Sequence, residues 1–234
     1  VPIIKITPSL YQIIDRRNNI FLIVEEKLTL IDTGFRVSVP LILETIRRLG
    51  RRPEELALIV LTHNHFDHAG GAAALRKITG CKIAACPVDF TIGKDNVPYP
   101  GGRYVARLLQ APPLAPVRRR LLLGSDSIDI PLADNQMLPV LGGLKVLSTP
   151  GHTPGSISLY APAPKILFVG DALNKRNGLP YRTVTLNLEA AVASALKIAS
   201  QDAQILCFGH GKPIKTGAML YLSHLAEKVK QKTA

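Results

Sequence analysis

Between positions 61 and 71 the chain reads LTHNHFDHAGG, which places His63, His65, Asp67 and His68 within six residues. Imidazole nitrogens and carboxylate oxygens packed this densely are donors that zinc takes, at bonds of roughly 2.0–2.2 Å. A solvated loop that happens to be rich in histidine is the plainer alternative. The rest of the sequence argues against it, because the other donors sit in similar settings. His152 lies in STPGHTPGS after the apolar run LKVLS, Asp171 in LFVGDAL after KILFV, and His210 in CFGHGKP after QILCF. Five of the six histidines therefore come just after strand-like runs, where a rigid sheet can aim them. His224, in YLSHLAEK, falls within a helix and reads as a surface or packing residue.

Seven donors exceed what one four-coordinate ion needs. They suit two divalent ions about 3.5–4 Å apart that share one bridging carboxylate. His63 and His65, two apart in an extended segment, face the same side. Asp67 and His68, entering the next helix, turn towards a second ion. Two such ions lower the pKa of a shared water towards about 7 and polarise a carbonyl or phosphoryl oxygen. Hydrolysis is the chemistry this set points to, and no G-x-S-x-G elbow offers a serine route. Imidazole and carboxylate suit zinc, iron or manganese, and affinity order alone does not choose among them.

The elements that must hold these donors follow from periodicity. IIKI, LYQII, IFLIVEE and KLTLID are short β-branched runs separated by turn formers such as Thr7, Pro8, Asn18 and Asn19. SVPLILETIRRLG has helical spacing, with Ser38 as cap and Gly50 as stop. LALIVLT is an apolar strand that delivers the chain into His63, followed by the helix GGAAALRKIT and the strand CKIAA. Residues 91–120, interrupted by proline and glycine around the helical stretch RYVARLLQ, read as a lid or substrate loop. Strands SIDI, LKVLST, SISLYA and KILFVG come next. A helix at 188–200, the strand QILCFG and a last helix at 218–230 complete the chain.

Composition narrows the class. At 234 residues with 47% hydrophobic and 20% charged residues, the chain can bury a core without staples. Three cysteines, Cys81, Cys86 and Cys207, are too few and too odd in number for a disulfide framework, and Cys207 in its apolar run reads as a buried free thiol. No apolar run is long enough to span a bilayer, and VPIIKITPSLYQII lacks the pattern of a signal peptide, so the cytoplasm is the expected compartment. The net charge of +12 gathers in DRRNN, RRLGRRPEE and APVRRRLLLG. With no Trp, 5% aromatics and no nucleic-acid motif, a solvated basic face or steering of anionic substrates outweighs nucleic-acid binding.

Taken together, these residues resemble the metallo-β-lactamase superfamily over essentially the whole chain. The motifs are IDTG at 31–34, HNHFDH at 63–68, GHT at 151–153, GD at 170–171 and GH at 209–210. The resemblance implies an α+β fold: an αββα sandwich of two packed mixed sheets flanked by helices, as a single domain over 1–234. It implies His63, His65 and His152 as ligands of one metal and Asp67, His68 and His210 as ligands of a second, with Asp171 bridging. Asp32 would hold ligands in place rather than bind metal. The cofactor expected is two divalent ions, zinc first, with iron or manganese as alternatives.

Departures within the superfamily narrow the activity. Antibiotic-hydrolysing members usually lack an aspartate where Asp171 stands, and flavin-partnered di-iron reductases carry glutamate where His65 stands. Glyoxalase II enzymes share the AGG after His68 but normally add a C-terminal helical domain. Acyl-homoserine lactone lactonases share the DHAGG and TPGHTPG wording and similar length; several place tyrosine where this chain has Asn174. Transfer-RNA processing members carry a long arm that is not visible here. The activity implied is hydrolysis of small esters, lactones or thioesters, with Asp67 also shuttling a proton to the leaving group. Asn174, Lys175, Arg176, Arg103 and Arg107 are candidates to bind a substrate's anionic group, each against the alternative of a solvated side chain. A metal-dependent phosphodiesterase or nuclease and a mononuclear iron thiol dioxygenase stand as alternatives. The partner expected is a small, anionic molecule; no membrane is implied, nucleic acid is disfavoured and a homodimer stays open.

Overall fold

The structure, a computed structural model, describes residues 3–91, 127–175, 178–179 and 185–233. The expected lid at 91–120 and the stretch RYVARLLQ lie outside the described residues, apart from the end of one short helix at Thr91. The chain divides into two compact units, Val1–Leu132 and Ala133–Ala234, each built on one sheet.

In the first unit, β1 (Ile3–Thr7), β2 (Leu10–Asp15), β3 (Asn18–Val24) and β4 (Leu28–Ile31) form an antiparallel meander. Then β5 (Leu56–Val60), β6 (Lys82–Ala85) and β7 (Ile130–Pro131) add on in parallel. Parallel neighbours need a crossover, which α1 (Val39–Arg48) supplies between β4 and β5. The short α2 (Phe66–Ala69) and α3 (Ala72–Thr79) supply the next, and α4 (Val88–Thr91) follows β6. Helix α1 places Val39, Ile42, Leu43 and Ile46 on one face, and they pack with Leu30, Ile59 and Ile83. Burying each such side chain contributes about 1.5–3 kcal/mol. Because β4, β5 and β6 run the same way, their carboxyl ends share one edge of the sheet, and β3, antiparallel to β4, begins there.

The expectation that Asn18 and Asn19 form the β2–β3 turn is corrected. Asp15 pairs with Asn18, so the two-residue turn is Arg16–Arg17, with φ of 50° and 78°. Left-handed backbone costs a non-glycine residue roughly 1–2 kcal/mol. The asparagines are drawn instead into the start of β3, both buried, and Gln12 Nε2 donates to Asn19 Oδ1 at 2.7 Å.

In the second unit, β8 (Met137–Leu138), β9 (Leu144–Ser148), β10 (Ile157–Ala161) and β11 (Ile166–Phe168) are antiparallel. Helix α5 (Leu188–Ala199) crosses over to β12 (Ile205–Cys207), parallel to β11, and α6 (Ala218–Thr233) follows. Asn187 caps α5, its side chain accepting from Ala190 N at 3.0 Å. Strands β9, β11 and β12 point the same way, so their carboxyl ends also share an edge. All three cysteines are free, and burial pushes their thiols up in pKa. No helix among the described residues is long and apolar enough to cross a membrane.

Candidate metal centre

Every donor singled out in the sequence stands beyond a carboxyl strand end. In the first unit, β5 leads through Leu61 and Thr62 to His63, His65, Asp67 and His68, whose residues are 0–8% exposed. Asp32, directly after β4, is 2% exposed and sits at φ 59°. Its carboxylate is a hub. Oδ1 accepts from Thr62 N at 2.8 Å, while Oδ2 accepts from the Thr62 hydroxyl at 2.8 Å and faces His68 Nδ1 at 2.9 Å.

This network fixes imidazole tautomers. A carboxylate only accepts, so Asp32 accepts hydrogen bonds from the Thr62 hydroxyl and from His68 Nδ1–H. The Thr62 oxygen, its O–H directed at Asp32, accepts a hydrogen bond from His63 Nδ1–H at 3.0 Å. Both rings are thereby left with a bare Nε2, the atom a cation requires. His63 Nε2 lies 3.0 Å from His65 Nδ1, and His68 Nε2 lies 3.8 Å from Asp67 Oδ2.

The glycines after His68 let the Asp32 loop come this close. A Cβ on Gly71 would stand 2.9 Å from the carbonyl oxygen of Thr33. The gap is closed by hydrogen bonds: Thr33 N and Oγ1 donate to His68 O at 2.7 and 2.8 Å.

In the second unit, His152 follows β9, Asp171 follows β11 and His210 follows β12. Asp171 Oδ2 lies 3.2 Å from His210 Nε2 and 3.6 Å from His152 Nε2. His152 is buried, whereas the His210 side chain is 42% exposed. Two donors bound at about 2.0 Å around a tetrahedral ion stand about 3.3 Å apart. The separations within each unit run from 3.0 to 3.8 Å. Among the described residues, all seven donors belong to groups of ligand atoms able to hold an ion. The donor set and its spacing fit a divalent metal.

The remaining sequence candidates divide. Asn174 pairs with Gly178 through backbone bonds of 3.1 and 2.9 Å, and its side chain donates to Leu179 O, so it closes a hairpin. Tyr221, whose hydroxyl burial pushes up to about 12, donates to Asn174 O at 3.0 Å. Lys175 is exposed beside it, and Arg176, Arg103 and Arg107 lie outside the described residues. His224 is exposed on α6, as read. Sequence reasoning missed Thr62 and the buried Asp89, whose carboxylate accepts from Asn64 N at 3.3 Å. A hydroxyl residue directly before H-x-H was the visible signal for Thr62.

A family model described as the metallo-beta-lactamase superfamily matches residues 13–210. The chain belongs to that superfamily. It is similar to a probable metallo-hydrolase, YflN, of Bacillus subtilis, at 29% identity over 79% of this chain and 75% of that one. It is also similar to an N-acyl homoserine lactonase of a Bacillus species, at 26% identity over 79% and 67% of the two chains. Among solved structures, a metallo-β-lactamase family protein of Thermus thermophilus matches with a TM-score of 0.72 at 23% identity, covering 97% of this chain and 81% of that one. That likeness establishes the fold class read from the sequence, α+β of the αββα kind, and the superfamily assignment makes the protein a metal-dependent hydrolase.

Proposed function

We propose that the protein hydrolyses small ester substrates, lactones first and thioesters next, with His63, His65 and His152 holding one divalent ion. Asp67, His68 and His210 hold the other, and Asp171 is shared between them within one domain that serves a small, anionic substrate in the cytoplasm. The observation that carries this reading is the Asp32–Thr62 network, which presents the bare Nε2 of His63 and His68. When bound, a pair of divalent ions, zinc first, lowers the pKa of a shared water towards about 7 and polarises the ester carbonyl. Asp67, buried in the first turn of α2, carries a proton to the leaving group. Similarity to the N-acyl homoserine lactonase supports placing lactones first. The net charge of +12 favours a second reading, hydrolysis of phosphodiesters on nucleic acid.

Metal analysis and a substrate panel test these readings together. Zinc-, iron- and manganese-loaded protein is expected to hold two ions per chain and to turn over lactones or thioesters. Cleavage of RNA or DNA, with binding that weakens steeply as salt rises, would favour the second reading. One iron per chain with oxygen uptake would point instead to a thiol dioxygenase. Asp67→Asn is expected to weaken retention of the second ion and to slow turnover of protein that still holds both; full activity with both metals in place would remove the proton-carrying role.

A further inference from the structure

We propose that Asp89 is a positioning residue for the His63–His65 pair, acting through Asn64, which joins them. This rests on the reading that the two imidazoles share an ion. Asn64 N donates to Asp89 Oδ2 at 3.3 Å, and Asn64 Nδ2 donates to Asp89 O at 3.3 Å. Each bond is long for its kind. Together they grip one residue at both its backbone and its side chain. Both residues are buried, Asn64 at 3% and Asp89 at 1% exposure, so water has little access as a substitute partner. The grip itself is anchored. Pro87, just past β6, has no N–H to continue the ladder and accepts from Phe90 N at 2.9 Å in a turn. Phe90 is buried in the core of the first unit, which fixes the turn that carries Asp89.

The segment that Asp89 grips has just left the sheet. Leu61 N still donates to Ala84 O of β6, and Thr62 N donates to Asp32. Asp89 takes hold at Asn64, before α2 begins at Phe66. Asp32 and Thr62 set the rings of His68 and His63, whereas Asp89 sets the main chain between the donors. What it holds is demanding. His63 Nε2 stands 3.0 Å from His65 Nδ1, with the rings edge to face and their centroids 4.6 Å apart. A hydrogen bond between those nitrogens cannot persist once both bind one ion. Their convergence then has to be held from the backbone, and Asn64 is the residue through which that hold can act.

Asp89→Ala removes the acceptor of Asn64 N, whereas Asp89→Asn keeps one oxygen for it. In competition with a chelating indicator, zinc binding by Asp89→Ala is expected to weaken about tenfold, the low end for residues that orient ligands. Asp89→Asn should stay within about threefold of the parent, the worth of one neutral hydrogen bond. The visible absorption of cobalt(II)-loaded protein should change in Asp89→Ala and return in Asp89→Asn. A carboxylate that serves folding alone gives another pattern: a lower melting temperature with parental zinc affinity and an unaltered cobalt spectrum. That pattern would overturn the proposal. Should Asp89→Ala fail to fold, Asn64→Ala removes the side-chain bond alone. It is expected to bind zinc about threefold more weakly, and parental affinity there would overturn the proposal equally. Proton–nitrogen NMR spectra of the imidazoles in metal-free protein read the clamp without any ion. His65 resonances are expected to shift in Asp89→Ala and Asn64→Ala, while those of His224 stay in place. The same shift, with a parent that binds no divalent ion, would sustain the clamp and sink the metal reading alone. Unmoved His65 resonances would sink the clamp.

Discussion

Asp32→Ala is expected to weaken divalent metal binding about 10–100-fold, in line with other residues that orient ligands without touching metal. Thr62 N, the Thr62 hydroxyl and His68 Nδ1 all lose their acceptor at once. Each is buried, and a buried donor without a partner costs about 1–3 kcal/mol. The loss also releases the tautomers. Without Asp32, the Thr62 hydroxyl is free to donate to His63 Nδ1, which moves that ring's proton to Nε2 and blocks the ligand atom. Metal titration and thermal melting check the two effects separately, and a loss of stability should persist with metal in excess. Asp32→Asn is the sharper variant, since it keeps shape and tolerates the left-handed φ of 59°. It can still accept through one oxygen, but its amide must face a donor. An Asp32→Ala protein with parental metal affinity would remove the hub from the account.

Gly151→Ala is expected to lower stability by about 3–5 kcal/mol, the range of severe backbone and packing conflicts. At φ 136°, a Cβ on Gly151 would stand 2.5 Å from both N and Cα of Ala191 in α5. Main chain cannot swing aside as a side chain does. The same loop is pinned to that helix, with Gly151 O accepting from Leu186 N at 2.9 Å and Asn187 N at 3.1 Å. Ser194 Oγ adds a bond to Pro150 O at 2.7 Å. Displacing the loop displaces His152, so metal affinity should fall along with melting temperature. Gly50→Ala is the matched control: its φ is 72° but a Cβ there meets nothing within 4 Å. It should lose only about 1–2 kcal/mol, the cost of left-handed backbone. Equal losses at the two positions would show that contact with α5 is not the cause.

What the chain disclosed before folding was the local part of the design. The apolar runs before His63, His152, Asp171 and His210 marked the strand ends, and the helix read at 188–200 is found as Leu188–Ala199. Residues whose role depends on neighbours far along the chain stayed hidden. Thr62 matters only because parallel pairing of β4 and β5 sets it beside Asp32, thirty positions away. The run SIDI yields only the two-residue β7. Asp129 spends its carboxylate on Ile83 N at 2.9 Å, and Pro131 has no N–H to give. Met137 and Leu138 pair with β9 over too short a stretch for alternation to show. Asn18 and Asn19 misled because turn-prone residues also serve as buried hydrogen-bonding groups.

The cysteines carry a consequence for which elements the protein accepts. Cys207 ends β12, three residues before His210, yet it is sealed in the core with its thiol protonated. Cys81 and Cys86 are likewise held in the uncharged form at neutral pH. The buried thiol of Cys207 therefore adds no sulfur to the neighbouring His210, and the donors gathered after the strand ends are nitrogen and oxygen alone, the set that hard and borderline divalent ions favour.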